Sequence, residues 1–188
     1  NDLLAQEAAV RAVRSLAHLG TTFSNEMTSA QFYSATCKLQ GHHFTVQVVT
    51  DPTLFRIGRA EEASDGVVVA SLETLLEMKA STLVSRCSEK DLFDLLWLMR
   101  HMGEELNLRD VLLRGAELDG GMNAEAVLIS LVGTTLDRSG CDFGIKTSAN
   151  VIFRQVKAFR KMLIAEVEKV AKGQPAPSIA VLVKRLRS

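Results

Sequence analysis

Hydrophobic and polar positions along this chain follow two rhythms, one near 3.6 residues and one of 2. Leu3, Leu4, Ala8, Val10, Val13 and Leu16 recur at near-helical spacing, which predicts a helix over 2–18 with Gly20 as its stop. Residues 21–29 are rich in Thr, Ser and Asn and read as a loop. Strands are expected over 30–39 and 43–49. In the second, Phe44, Val46 and Val48 share one face, and His43, Thr45, Gln47 and Val49 share the other. The Gln40-Gly41-His42 turn between them predicts an antiparallel hairpin, ended by Asp51-Pro52. A third short strand is expected at Val67-Val68-Val69.

From Ser71 onward the pattern is helical. Ser71 caps a helix running to about Arg86, and Ser88 caps a second from Glu89 to about His101, where Gly103 ends it. Asp91 stands three residues after Ser88, where a carboxylate reaches back to close the cap. Further helices are expected over 107–116, over 124–137 with Asn123 as cap, and over 148–172. Gly173-Gln174-Pro175-Ala176-Pro177 breaks the chain before a last helix over 178–187. Trp97 falls in an apolar run and reads as core. The order is helix, small sheet, then helices, an α+β fold class. Asp119-Gly120-Gly121 interrupts the pattern and divides the chain into an α+β region over 1–117 and a helical region over 118–188.

Composition narrows the function classes. The 188 residues are 47% hydrophobic and 23% charged, an ordinary globular balance. Lys+Arg and Asp+Glu are both 22, so the chain lacks the overall basic excess usual in nucleic-acid binders. Local bias remains: Lys184, Arg185 and Arg187 stand near the end, and the stretch from Lys146 to Lys172 is basic. Cys37, Cys87 and Cys141 are odd in number and widely spaced, which argues against a disulfide framework or a zinc knuckle and fits a reducing compartment. No run approaches the roughly 20 apolar residues needed to span a membrane. A cytoplasmic protein without a membrane partner is the expectation.

Candidate chemistry concentrates between residues 69 and 95. On a helical wheel, Leu72, Leu75, Leu76 and Leu83 cluster within roughly 100°, with Lys79 near the middle of that arc and Arg86 on the same side. A lysine at the centre of an apolar face is costly unless it is paired or reaches a polar site. The short Arg86-Cys87-Ser88 connection makes the next helix an antiparallel neighbour. Asp91 and Asp94, three apart, share a face at its start and are brought toward Arg86. Two readings follow: an ion pair that locks the hairpin, or a lysine aimed at phosphate with the acids orienting it. Cys87, between Arg86 and a helix cap, lies where a thiol is acidified, but no His is near it in sequence and an inert thiol is favoured. His42 and His43 face opposite ways on a strand and make a poor metal pair.

Val69-x-Ser71-Leu72-Glu73-x-Leu75-x-x-Met78-Lys79-Ala80, followed by Arg86 and then Lys90-Asp91-Leu92-Phe93-Asp94-Leu95, resembles the helical motif of the AbiEii/AbiGii-toxin family of nucleotidyltransferases. The likeness is good over about 67–100, looser over 30–52, and positional only over the first helix. It implies the remnant of a polymerase-β-like nucleotidyltransferase sheet followed by a helical bundle. It also implies transfer of a nucleotide from a nucleoside triphosphate to an acceptor such as RNA, with Mg²⁺. Several such proteins are toxins paired with an antitoxin or act in phage defence. Carried over residue by residue, the resemblance makes Lys79, Asp91 and Asp94 the catalytic candidates and Arg86 and Lys90 the substrate-binding ones.

The family's Gly-Ser or Gly-Gly loop and Asp-x-Asp strand are expected just before the helix over 2–18, and the sequence opens after that point. The family's third metal carboxylate falls at Gln47, an amide without charge to hold Mg²⁺, and no Asp or Glu occurs between Met27 and Thr50. The chain by itself is therefore expected to be inactive and to bind neither Mg²⁺ nor triphosphate well. The alternative is a degenerate, non-catalytic module that binds a protein partner, an antitoxin included, or RNA through the basic helix over 148–172.

Overall fold

The computed structural model describes residues 2–50, 60–64, 66–102 and 106–186. The expected Asp51-Pro52 and Gly103 stops lie outside the described residues. The chain divides into two compact units, Asn1–Arg56 and Ile57–Ser188. Among the described residues there are seven α-helices, a three-stranded antiparallel sheet and a two-stranded one, so the α+β class holds.

In the first unit, α1 (Asp2–Ser15) runs into a 3-10 turn (Leu16–Leu19). Gly20 stops it at φ 85°, a left-handed conformation open to glycine. The sheet follows in the order β1 (Thr22–Thr28), β2 (Phe32–Leu39), β3 (His42–Val49). Gln40 and Gly41 both take positive φ, 49° and 83°, which fits the tight turn joining Leu39 to His42. Tyr33, Ala35 and Cys37 of β2 are fully buried beneath Val10 and Val13 of α1, with Phe23, Val46 and Val48 alongside. β1 corrects the expected loop over 21–29. It pairs with β2 alone, supplies one apolar side chain to the core, and its register shifts between Ser24 and Met27 around Asn25 at φ 52°. A bulged edge strand of this kind shows no clean period-2 signal.

In the second unit, β4 (Ala60–Glu62) pairs with β5 (Val68–Ala70), and six helices follow: α2 (Leu72–Ser85), α3 (Glu89–His101), α4 (Leu108–Leu118), α5 (Ala124–Gly133), α6 (Ala149–Ala171) and α7 (Ile179–Arg185). Each begins at a polar cap, and Ser88–Asp91 and Asn107–Asp110 close full capping boxes. One core joins Leu76 and Leu83 of α2, Leu92, Leu95 and Leu96 of α3, Leu108 of α4, Leu131 of α5, Phe159 and Leu163 of α6, and Ile179 of α7. The 117/118 boundary therefore lies inside one packed unit. The Asp119-Gly120-Gly121 break is a local turn, and Met122 just beyond it is buried against Gly115.

Two further expectations change. The helix after Asn123 ends at Gly133, four residues early, where Arg160 of α6 caps it by donating Nε to the Leu131 carbonyl (2.6 Å) and a terminal nitrogen to that of Val132 (3.1 Å). Trp97 is 45% exposed rather than core, because α3 turns Leu92, Leu95, Leu96 and Met99 inward and Trp97 away from them. Trp97 stacks instead on His101, with ring centroids 3.9 Å apart.

Candidate functional site

The α2–α3 hairpin gathers every candidate residue into one cluster. α2 ends at Ser85, and the amides of Arg86 and Cys87 both donate to the Thr82 carbonyl. Cys87 turns the chain at φ 41°, a left-handed conformation that costs a non-glycine residue about 1 kcal/mol. Its side chain is fully buried in the helical core, which compensates. That turn carries Ser88 and the first turn of α3 back across the end of α2.

Asp91 is the hub. Its carboxylate is 1% exposed and accepts from Lys79 Nζ at 3.1 Å, from Arg86 through a two-armed contact at 2.8 and 3.0 Å, from the Ser88 hydroxyl at 2.6 Å and from the Ser88 amide at 3.4 Å. Burial alone would raise its pKa. The hydrogen bonds from Ser88, Arg86 and Lys79 outweigh that and hold it below the usual carboxylate range. Asp94, one turn on, is 25% exposed and takes Lys79 Nζ at 2.8 Å and Lys90 Nζ at 2.9 Å on the same oxygen. Burial pulls the Lys79 ammonium's pKa down, but its bonds to Asp94 and Asp91 together raise it above the ordinary lysine value. Lys79 therefore pairs with both acids of the hairpin, Asp91 and Asp94.

Three cations thus face two carboxylates, which leaves one surplus positive charge in the cluster. Arg86 and Lys90 are outermost, with side chains 65% and 64% exposed, and Lys79 sits behind them at 22%. Sequence reasoning missed the loop that borders this cluster. The Asp137 amide donates to Glu89 Oε1 at 2.6 Å, Phe143 packs on Phe93 with centroids 5.2 Å apart, and Lys90 Nζ lies 5.9 Å above the Phe143 ring. No spacing rule reaches from residue 90 to 143. The first unit holds a second unforeseen group: Arg14 and the Tyr33 hydroxyl both donate to Glu26 Oε2.

The donor set does not suit Mg²⁺. Asp91 already accepts from five donor atoms, and Asp94 is neutralised by two ammoniums. Gln47, at the third-carboxylate position, is exposed on β3 opposite Ser34. Among the described residues no group of three or more His, Cys, Asp or Glu is arranged to hold a metal ion. The cationic edge suits an anion such as phosphate better. The Cys87 thiol is pushed up to about 11, chiefly by burial, so it is not an activated nucleophile. No helix among the described residues is long and apolar enough to cross a membrane.

No family model, curated protein or solved structure matches this chain.

Proposed function

We propose that this chain is the sheet-and-helix portion of a nucleotidyltransferase of the AbiEii/AbiGii toxin type, inactive by itself, and that its α2–α3 hairpin is the part that contacts phosphate. The surplus positive charge at the exposed end of an otherwise locked ion-pair cluster carries this reading. Asp91 fixes the two helices and orients Arg86 and Lys79. Asp94 steadies Lys79 and Lys90, whose ammoniums meet the phosphates as mobile point charges. The reading brings with it nucleotide transfer to an acceptor such as RNA. Mg²⁺ would supply charge neutralisation in that chemistry, but the residues of this cluster do not fit it.

Trp97 is the only tryptophan and sits seven residues along α3 from Lys90, about 10 Å away. Its emission therefore reports on this face directly. Titration with each of the four ribonucleoside triphosphates should quench it only at millimolar concentration, in keeping with a chain that by itself binds triphosphate weakly. Lys79→Met and Lys90→Ala should each weaken binding at least fivefold while the melting temperature of Lys90→Ala stays unchanged. A folded wild-type chain whose tryptophan emission none of the four changes, even at millimolar concentration, would remove the proposal.

A further inference from the structure

The second unit carries another surface that the phosphate reading leaves unused. α5 ends against the middle of α6, where Arg160 is spent on the last carbonyls of α5. Beside this contact lies a groove of about 450 Å³ with an apolar floor of Val132, Ala158 and Ile164 and a rim formed by Lys157 and Lys161. Val132 is 63% exposed and Ile129, one turn earlier on the same side of α5, is 75% exposed. These are large apolar side chains left in solvent on consecutive turns, unlike the isolated ones that any surface shows.

The charged side chains that line the groove are all cationic. Arg154, Lys157 and Lys161 fall within about 60° of one another on the α6 wheel, and all are exposed. None of the three takes part in an ion pair among the described residues. Lys157 rests over the Phe153 ring, 5.3 Å from its centre, which sets its ammonium at the rim. An apolar trough walled by unpaired cations matches a ligand that is itself two-sided, with apolar residues at helical spacing flanked by carboxylates. A nucleic-acid strand would satisfy the cations but leave Ile129, Val132 and Ile164 without a partner, and the Phe153 ring at the rim is half-buried beneath Lys157 rather than open for a base to stack on.

We propose that the α5–α6 groove takes up an acidic, amphipathic helical segment of a partner protein. None of its residues belongs to the α2–α3 cluster, so this surface stands or falls independently of the phosphate site.

The test is selection from a displayed library of 18-residue helical peptides on the immobilised full chain, with counter-selection on Lys157→Glu/Lys161→Glu. All these positions are exposed, so the variants should melt as the wild type does. Enriched peptides should carry Asp or Glu beside Leu, Ile or Phe at i, i+3 and i+7. Fluorescence anisotropy of such a peptide should show at least tenfold weaker binding to Lys157→Glu/Lys161→Glu and to Val132→Asp. A scrambled peptide of the same composition should bind as weakly. The proposal is overturned if no peptide is enriched, or if the scrambled peptide binds equally. It is also overturned if single-stranded RNA or phosphatidylglycerol vesicles bind at this face and the peptides do not.

Discussion

Arg86 grips Asp91 with two arms of its guanidinium, Nε to Oδ2 at 2.8 Å and a terminal nitrogen to Oδ1 at 3.0 Å, although Arg86 is largely exposed and Asp91 is almost fully buried. A surface cation therefore stabilises a charge that water does not reach, and the two acids of the hairpin are not equivalent. Removing Asp91 leaves Lys79 without one of its two acids and opens the cap of α3. Asp91→Ala should cost about 2–4 kcal/mol, and Asp94→Asn less than about 1 kcal/mol. Urea midpoints read the difference directly. Equal losses would show that the acids share the load.

The pH dependence follows from the directions of the shifts. The folded Asp91 carboxyl lies below its unfolded value near 3.9, so its contribution is complete above that value and is lost as pH falls through the folded pKa. Lys79 is raised, so its contribution is complete below about 10.4 and is lost as pH rises through its folded pKa. The stability gap between wild type and Asp91→Asn should be flat from about pH 5 to 9 and should close below about pH 4. A gap unchanged at pH 2.5 would contradict the assignment of Asp91 as a charged hub.

Gly115 sets how closely α4 approaches α2. A Cβ there would stand 2.5 Å from Met122 Sδ and 3.0 Å from Ala80 Cβ, inside a buried contact. Alanine favours a helix by about 1 kcal/mol over glycine, yet Gly115→Ala should still lower stability by about 1–2 kcal/mol, because overpacking outweighs propensity. That corresponds to a few degrees in the melting temperature, measurable by calorimetry. A stabilised variant would mean that Met122 moves aside at little cost.

The three cysteines are all buried, and the Cys87 thiol is raised to about 11. At pH 8 its thiolate fraction is then on the order of one in a thousand. Native protein should take up no iodoacetamide in the time that urea-unfolded protein takes up three equivalents, counted by intact mass. Rapid native labelling at Cys87 would point to an open hairpin turn.

Much of the helical half was legible because its signals are local. Ser71, Ser88 and Asn123 announce their helices within four residues, and the turn at Gln40-Gly41 announces the β2–β3 hairpin. The clustering of Lys79, Arg86, Asp91 and Asp94 was also legible, since a three-residue connection leaves few alternatives. What was not legible depends on distant residues. α5 stops where Arg160, 27 positions beyond Gly133, claims its last carbonyls. Trp97 is apolar by type but is turned outward, because the leucines beside it fill the core face of α3. Which acid would be buried was open as well: both share a face, and only the position of the Arg86–Ser88 turn places Asp91 inside it.

The capping box of α3 has a further consequence. The carboxylate that tells the chain where α3 begins is the same one that fastens α3 to α2. Local initiation and tertiary docking are one event, and they join residues only twelve apart, so loop closure is entropically cheap. The hairpin is therefore built to open and close as a single foldon, and its amides should exchange with solvent together rather than fray from either helix end.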